Sequence, residues 1–415
     1  MTRTLFAFVL LSAGLASPSL AQTATPPTKT KPPAKAAAAP VKKAPAVPAA
    51  FTAAKDAGDK ALKESRLDDA LTEYYKALKI KPDWTEGWWH MGLISYDAQR
   101  YEPARDALRR VVTLSPNDAR SWGIMGLCEF QLKDYDPALE HLQHARQLGV
   151  RSGDELSPVF RYHSAILLTR LGLFEQAQQV LNEFAVEGTD SPNVILAFGI
   201  ATLRLPMLPT DLPGERRDAV MLAGRAQYFS ASRLLPAATG AFEQLIARYP
   251  DLSNVHYAFG SFLLGEEPDR GVQELQKELQ VTPNHSIAML ALAFEYIKRS
   301  DYQTAKTWAE KAVAADPMDF GARKALGQVL LETGDTDGAI RELEAGVKMA
   351  PTSPVMHFQL AKAYQKAGRT TDAERERAEF TKLDRAVRAA RAGQQSVGGV
   401  EDTGASTQPV PQSQD

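Results

Sequence analysis

Small residues return along this chain at fixed intervals, and large apolar residues gather beside them. Gly58, Gly92, Ala293 and Gly327 are each followed twelve residues later by Ala70, Ala104, Ala305 and Ala339, and twelve residues after those stand Pro82, Pro116, Pro317 and Pro351. Trp88 and Met91 precede Gly92, and Leu108 follows Ala104. Two small contact points ringed by large side chains predict two helices whose backbones approach closely. The proline ends the second helix, which it cannot continue, and Asp83, Asn117, Asn284 and Thr352, each just behind a proline, suit the turn or cap that opens the next one. The prolines lie 34 residues apart, from Pro82 to Pro116 and from Pro283 through Pro317 to Pro351. A period of that length marks a helical repeat array.

These residues match the pattern of the tetratricopeptide repeat, which the chain resembles over about four fifths of its length. Repeat two reads Trp88, Met91, Gly92, Ala104, Leu108 and Pro116. Repeat three continues with Trp122, Met125, Gly126, Ala138, Leu142 and Ala145 and stops on Gly149 instead of a proline. From about 286 to 384 the pattern returns with Tyr296, Ala305, Ala312 and Pro317, then Leu326, Gly327, Ala339, Leu343 and Pro351, then Tyr364, Ala373 and Phe380. The resemblance implies an all-α fold, a right-handed superhelical solenoid of antiparallel helix pairs with about nine to ten repeats and disordered termini.

The middle of the chain departs from the pattern. A fourth repeat over 158–188 keeps Ala165, Ala177 and Leu181, and a fifth begins with Val194 to Leu205 around Gly199. The stretch 204–218 then holds Pro206, Pro209, Pro213 and Gly214, which cannot be a helix interior and read as an ordered loop. Ala226, Ala238, Phe242, Leu245 and Pro250 resume the pattern, and a repeat with Gly260 and Leu263 reaches Pro283 one residue early. The array therefore divides into regular repeats over 51–203, irregular ones over 204–285, and regular ones with a capping helix over 286–391. In that last helix Arg377 replaces the apolar residue at position 24, as a charged outer face requires.

Composition sets the ends. With 24% charged and 44% hydrophobic residues the chain suits a soluble helical body. Arg3, the apolar run over 5–16 and Ser19-Leu20-Ala21 read as a secretory signal peptide over 1–21, cleaved near Ala21, which would make the mature protein periplasmic or secreted. An apolar run of about a dozen residues falls short of the roughly 20 that span a bilayer. Residues 22–50 carry seven prolines, five lysines and no acid and read as an extended, disordered spacer. Contact of its lysines with an anionic envelope surface is one reading of that charge, a plain soluble linker the other. The tail over 392–415, rich in Gly, Gln, Ser and Thr, reads as disordered. Of the net charge of −2, the segment between spacer and tail carries about −5, which argues against nucleic acid as a partner.

Catalytic chemistry is hard to place. The chain has no HExxH, no GxSxG, no Walker loop and no CxxC pair, so no enzyme, cofactor or metal is expected. Cys128 has no partner for a disulfide and reads as a small buried hydrophobe. His141 and His144 share a helix face with Glu140, but two imidazoles without further ligands make a poor zinc site. His256 and His357 occupy the bulky position 4 of their repeats and read as packing residues. In the proline-rich loop, Asp211, Glu215, Arg216 and Arg217 include no nucleophile with a base.

What remains is a surface. In arrays of this family the first helices line a concave groove, and positions 2, 5, 9, 12 and 13 look into it. Carried onto this chain, the resemblance points to Trp89, Leu93, Tyr96, Leu127, Phe130, Tyr162 and Ile166 as an apolar, aromatic stripe. A weaker stripe has Leu290, Phe294 and Ile297, followed by Phe358 with Lys362 and Lys366. The groove does not reproduce the carboxylate clamp of some family members: Lys55 matches one lysine, but Asp59, His90 and Ile124 depart from it. The resemblance thus implies a non-enzymatic protein–protein interaction scaffold of the cell envelope that holds a peptide or protein segment in its groove. The alternative is an accessory subunit of an envelope assembly or polysaccharide export or synthesis machine; an enzyme acting at the 204–218 loop is the least supported.

Overall fold

The computed structural model describes residues 48–150 and 154–398. The expected leader, the spacer up to residue 47 and the tail beyond 398 lie outside the described residues. Within them the chain forms nineteen α-helices and no strand. Four hairpins come first: α1 (Ala49–Lys63) with α2 (Leu67–Ile80), α3 (Thr85–Asp97) with α4 (Tyr101–Leu114), α5 (Ala119–Gln131) with α6 (Tyr135–Gln147), and α7 (Leu156–Arg170) with α8 (Phe174–Val186). Next stand α9 (Pro192–Thr202), α10 (Arg217–Ala231) and α11 (Leu235–Arg248). Four more hairpins follow: α12 (Val255–Leu263) with α13 (Pro268–Val281), α14 (Ser286–Lys298) with α15 (Tyr302–Ala315), α16 (Phe320–Thr333) with α17 (Thr336–Met349), and α18 (Pro354–Lys366) with α19 (Thr370–Gly398). Both ends run longer than the sequence suggests. The alanines behind Pro48 open α1, being good helix formers, and α19 runs on past Arg391 through Ala392, Gln394 and Gln395 to Gly398, with no proline to stop it.

Each hairpin closes through the small residues that set the period. Gly92 faces Leu108, Gly126 faces Leu142 and the carbonyl of Ala138, and Gly327 faces Leu343. An added Cβ at any of the three would stand 3.0 Å or less from its neighbour, so the glycine is what lets the helices meet. The leucines they meet are fully buried, each stabilising the fold by about 2 kcal/mol of apolar burial.

The turn between helices is also repeated. Ser65, Gln99, Lys133, Gly172, Arg233, Ser300 and Gly368 all have positive φ at the end of a first helix. The next backbone N–H reaches back to close the turn, as Arg100 N does to Ser95 O (2.8 Å) and Asp134 N to Glu129 O (2.9 Å). Position 4 of the first helix ties this unit to the preceding proline. Trp88 Nε1 donates to the Pro82 carbonyl (2.9 Å), Trp122 Nε1 to Pro116 (2.7 Å), Arg323 Nη2 to Pro317 (2.8 Å), and His357 Nε2 lies 2.9 Å from the Pro351 carbonyl. Three chemically different side chains thus satisfy a carbonyl that the helix end leaves orphaned.

α9 ends as a first helix should, with Arg204 at φ 53 and Leu205 N bonded to Ile200 O (3.0 Å). Pro206, Pro209 and Pro213 then prevent the second helix, and two short 3-10 turns, Pro209–Asp211 and Gly214–Arg216, lead into α10 instead. α10 packs on α9 and also opens the hairpin with α11. The described residues therefore hold eight hairpins and a three-helix unit in which α10 packs on both α9 and α11, so the repeat that begins at Val194 meets its next helix only beyond the proline-rich loop. Every residue of α9 from Val194 to Thr202 is buried. Among the described residues its crossing with α10 gives the shortest glycine contacts: a Cβ on Gly199 would lie 1.8 Å from the Val220 carbonyl oxygen, and one on Gly224 1.9 Å from that of Ile195.

Candidate interaction surface

The first helices α3, α5 and α7 present the residues expected in the aromatic stripe, but not all of them to solvent. Leu127 and Ile166 are core residues, 3% and 4% exposed, and that corrects their assignment as partner contacts. Both stand one residue beyond the small position of their helix and join the core that runs from α4 to α10. Trp89, Leu93, Tyr96, Phe130 and Tyr162 are half-buried and packed against that same core.

These rings are held by aromatic neighbours that sequence reasoning missed. Tyr96 meets Tyr101 edge-on at 5.8 Å, Phe130 meets Tyr135 at 5.7 Å and His163 at 4.7 Å, and His163 meets Tyr162 at 5.4 Å. The Arg170 guanidinium lies over the Tyr135 ring at 4.4 Å. The available signal was the aromatic residue that opens the second helix, at Tyr101 and Tyr135. His163 Nδ1 lies 2.8 Å from the Val159 carbonyl and is assigned as the donor. Burial pushes its pKa down, leaving a neutral ring, and pushes the Tyr96 phenol up to about 12. The stripe is therefore uncharged, preassembled and rigid, with only the outer parts of its rings open.

In the second half, Leu290, Phe294 and Ile297 of α14 are also half-buried against the core. Lys324 of α16 stands over the Phe294 ring at 4.8 Å, and burial lowers its pKa. Phe358 of α18 is the most open of the predicted contacts, 44% exposed, with its ring 5.3 Å from Phe380. Beside it a cleft of about 460 Å³ is lined by Leu331, Glu332, Lys362, Gln365, Lys366 and Arg377. The structure thus brings together two groups, Trp89 to Tyr162 and Phe294 to Phe358, on the first helices of separate hairpin sets.

The remaining candidates for chemistry resolve into packing. Cys128 is fully buried, and burial pushes its thiol up to about 12, which keeps it protonated and unreactive. His141 and His144 flank the Trp122 ring at 5.0 and 4.8 Å beside a cleft of about 320 Å³. His141 Nδ1 is 2.7 Å from the Glu129 carboxylate. Among the described residues no group of three or more His, Cys, Asp or Glu side chains could hold a metal ion. His256 and His357 are buried and bonded to Glu274 (2.6 Å) and Glu376 (2.7 Å). Asp211, Glu215, Arg216 and Arg217 all lie exposed on the proline-rich loop. No described helix is long and apolar enough to cross a membrane.

Two family models agree with this architecture. Each is described as tetratricopeptide repeat, the first matching residues 91–149 and 290–354 and the second residues 330–392. Anaphase-promoting complex subunit 3 of Schizosaccharomyces pombe is 27% identical over 113 residues. That match spans 27% of this chain and only 17% of the yeast protein's length. Among solved structures, MamA of Desulfovibrio magneticus RS-1 aligns at 20% identity over 40% of this chain and 96% of its own, with a TM-score of 0.38. A structure titled MamA AMB-1 aligns at 23% identity over 38% of this chain and 94% of its own, with a TM-score of 0.34.

Proposed function

Since this chain is a tetratricopeptide repeat protein, we propose that it is a non-enzymatic scaffold of the cell envelope that binds a protein segment along the first helices of its hairpins. The observation that carries this reading is the aromatic line from Trp89 through Tyr96 and Phe130 to Tyr162. Its rings are fixed from behind by the core and from the side by Tyr101, Tyr135 and His163, while their outer parts stay open. Rigid aromatic side chains lose little entropy when a partner covers them, which is what makes such residues binding hot spots. An extended or helical segment with apolar side chains fits a line of uncharged rings bordered by a few charged residues such as Arg170. Placement in the envelope rests on the apolar run over 5–16 and the cleavage signal ending at Ala21.

The test is affinity capture from envelope extract with the full chain and with a Trp89→Ala, Phe130→Ala double variant, each first checked for an unchanged helical melt. Recovery of the specific partner should drop at least about tenfold in the double variant. Equal recovery by a folded double variant sinks the proposal.

A further inference from the structure

Val355, Phe358, Lys362 and Lys366 share one face of α18, spaced by three and four residues. That face changes character along its length. Val355 and Phe358 are large, apolar and exposed, whereas Lys362 and Lys366 border the 460 Å³ cleft together with Arg377 of α19. The cleft holds one acid, Glu332, against these three cations.

The ion pairs that α16 to α19 form among the described residues use other side chains. Arg323 pairs with Glu342, and Arg369 and Arg375 with Asp372. Lys362, Lys366 and Arg377 enter none of them; the Lys366 ammonium instead donates to the Leu331 carbonyl. Arg377 stands where the second helices of other hairpins place Leu108, Leu142 and Leu343, all fully buried. At the last hairpin that position meets no further described helix, so a charged side chain opens a cleft where an apolar one would pack. Three cations around an open cleft with a single carboxylate leave an excess of positive charge there, and a further carboxylate placed among them can accept charge-assisted hydrogen bonds.

We infer that this end of the array binds a protein segment in which an acidic side chain neighbours a large apolar one, the carboxylate lying among Lys362, Lys366 and Arg377 and the apolar group on Phe358. This rests on the reading of the first-helix face as a protein-binding surface and names the partner chemistry of its C-terminal part. Lys324, poised over Phe294, carries the same pairing of cation and ring one hairpin earlier.

The experiment uses a labelled twelve-residue peptide, acetylated and amidated so that it has no charged ends, alternating phenylalanine or leucine with glutamate. Its binding to the full chain is followed by fluorescence anisotropy, beside a version with glutamine for every glutamate and beside phosphatidylglycerol vesicles. The acidic peptide should bind at least about tenfold tighter than the neutral one, and added salt should narrow that gap. Lys362→Gln with Arg377→Gln should remove the gap. Phe358→Ala should weaken both peptides, and Lys348→Gln on α17 should change neither. Equal binding of the two peptides, no binding of either, or vesicle binding that the acidic peptide cannot displace overturns the inference. The wider reading is judged separately, by partner capture through Trp89 and Phe130: capture that survives while the acidic preference is absent removes only the inference about α18.

Discussion

Gly199→Ala will destabilise the protein by at least about 3 kcal/mol, more than any surface change in the array. The methyl group would sit 1.8 Å from the Val220 carbonyl oxygen and 2.7 Å from its carbon, and neither is the end of a flexible side chain that could turn aside. α9 is buried along its length, so it cannot tilt outward without opening apolar surface on both sides. Gly224→Ala should act alike, through the Ile195 carbonyl at 1.9 Å. Gly240→Ala is the control: it also lies within a helix but has nothing within 4 Å of the added Cβ, and should be neutral or stabilising by up to about 1 kcal/mol. Because repeat arrays need not unfold in one step, the readout is hydrogen exchange resolved along the chain. Faster exchange in α9 and α10 for both close-contact variants, with Gly240→Ala unchanged, is expected. A Gly199→Ala protein with native exchange throughout would show that the two helices are not held at this distance.

The second large effect is at Glu278. Its side chain is fully buried and accepts from the backbone N–H groups of Asn254 (2.9 Å) and Tyr257 (3.1 Å), the two donors that open α12. Asn254 is in the left-handed region at φ 71, and its side-chain oxygen lies 2.8 Å from His285 Nε2, so the helix start is held from two later elements. Glu278→Ala leaves both N–H groups buried without acceptors and should cost about 3 kcal/mol, each orphaned buried donor costing roughly 1–3 kcal/mol. Glu278→Gln keeps one acceptor oxygen and should cost less. Chemical denaturation gives the size, and exchange at the Asn254 and Tyr257 amides gives the cause. If those two amides keep their protection in Glu278→Ala, the carboxylate is not what caps α12.

Much of this fold is legible in the sequence because its determinants are local and repeated. Gly92 and Gly327, each set against a buried leucine of the second helix, mark a close helix approach that only a small residue permits, and the prolines report helix ends. α9 was legible as a first helix and 204–218 as a loop; that the helix packed on α9 lies beyond that loop, in α10, was not, because the proline spacing carries no record of it. The surface was less legible. Whether an apolar residue at position 9 faces outward depends on how the neighbouring hairpins sit, so Leu93 remains half-open while Leu127 and Ile166 close into the core. Position 4 was read as bulk, yet at Trp88, Trp122, Arg323 and His357 its shared property is a nitrogen within reach of a proline carbonyl. Such a hydrogen bond cannot be seen in a pattern of sizes.

The α9–α10 crossing has a mechanical consequence. In a chain of hairpins each touching only its neighbours, a pull on the two ends loads every junction in series, and the loosest yields first. Junctions made of leucines and alanines can slide as their side chains change rotamer. Backbone lodged against backbone has no such slack. The α9–α10 crossing, placed where the period breaks, therefore acts as a stiff coupling between two more pliant arms. Under tension those arms should peel apart from their free ends before the middle gives way.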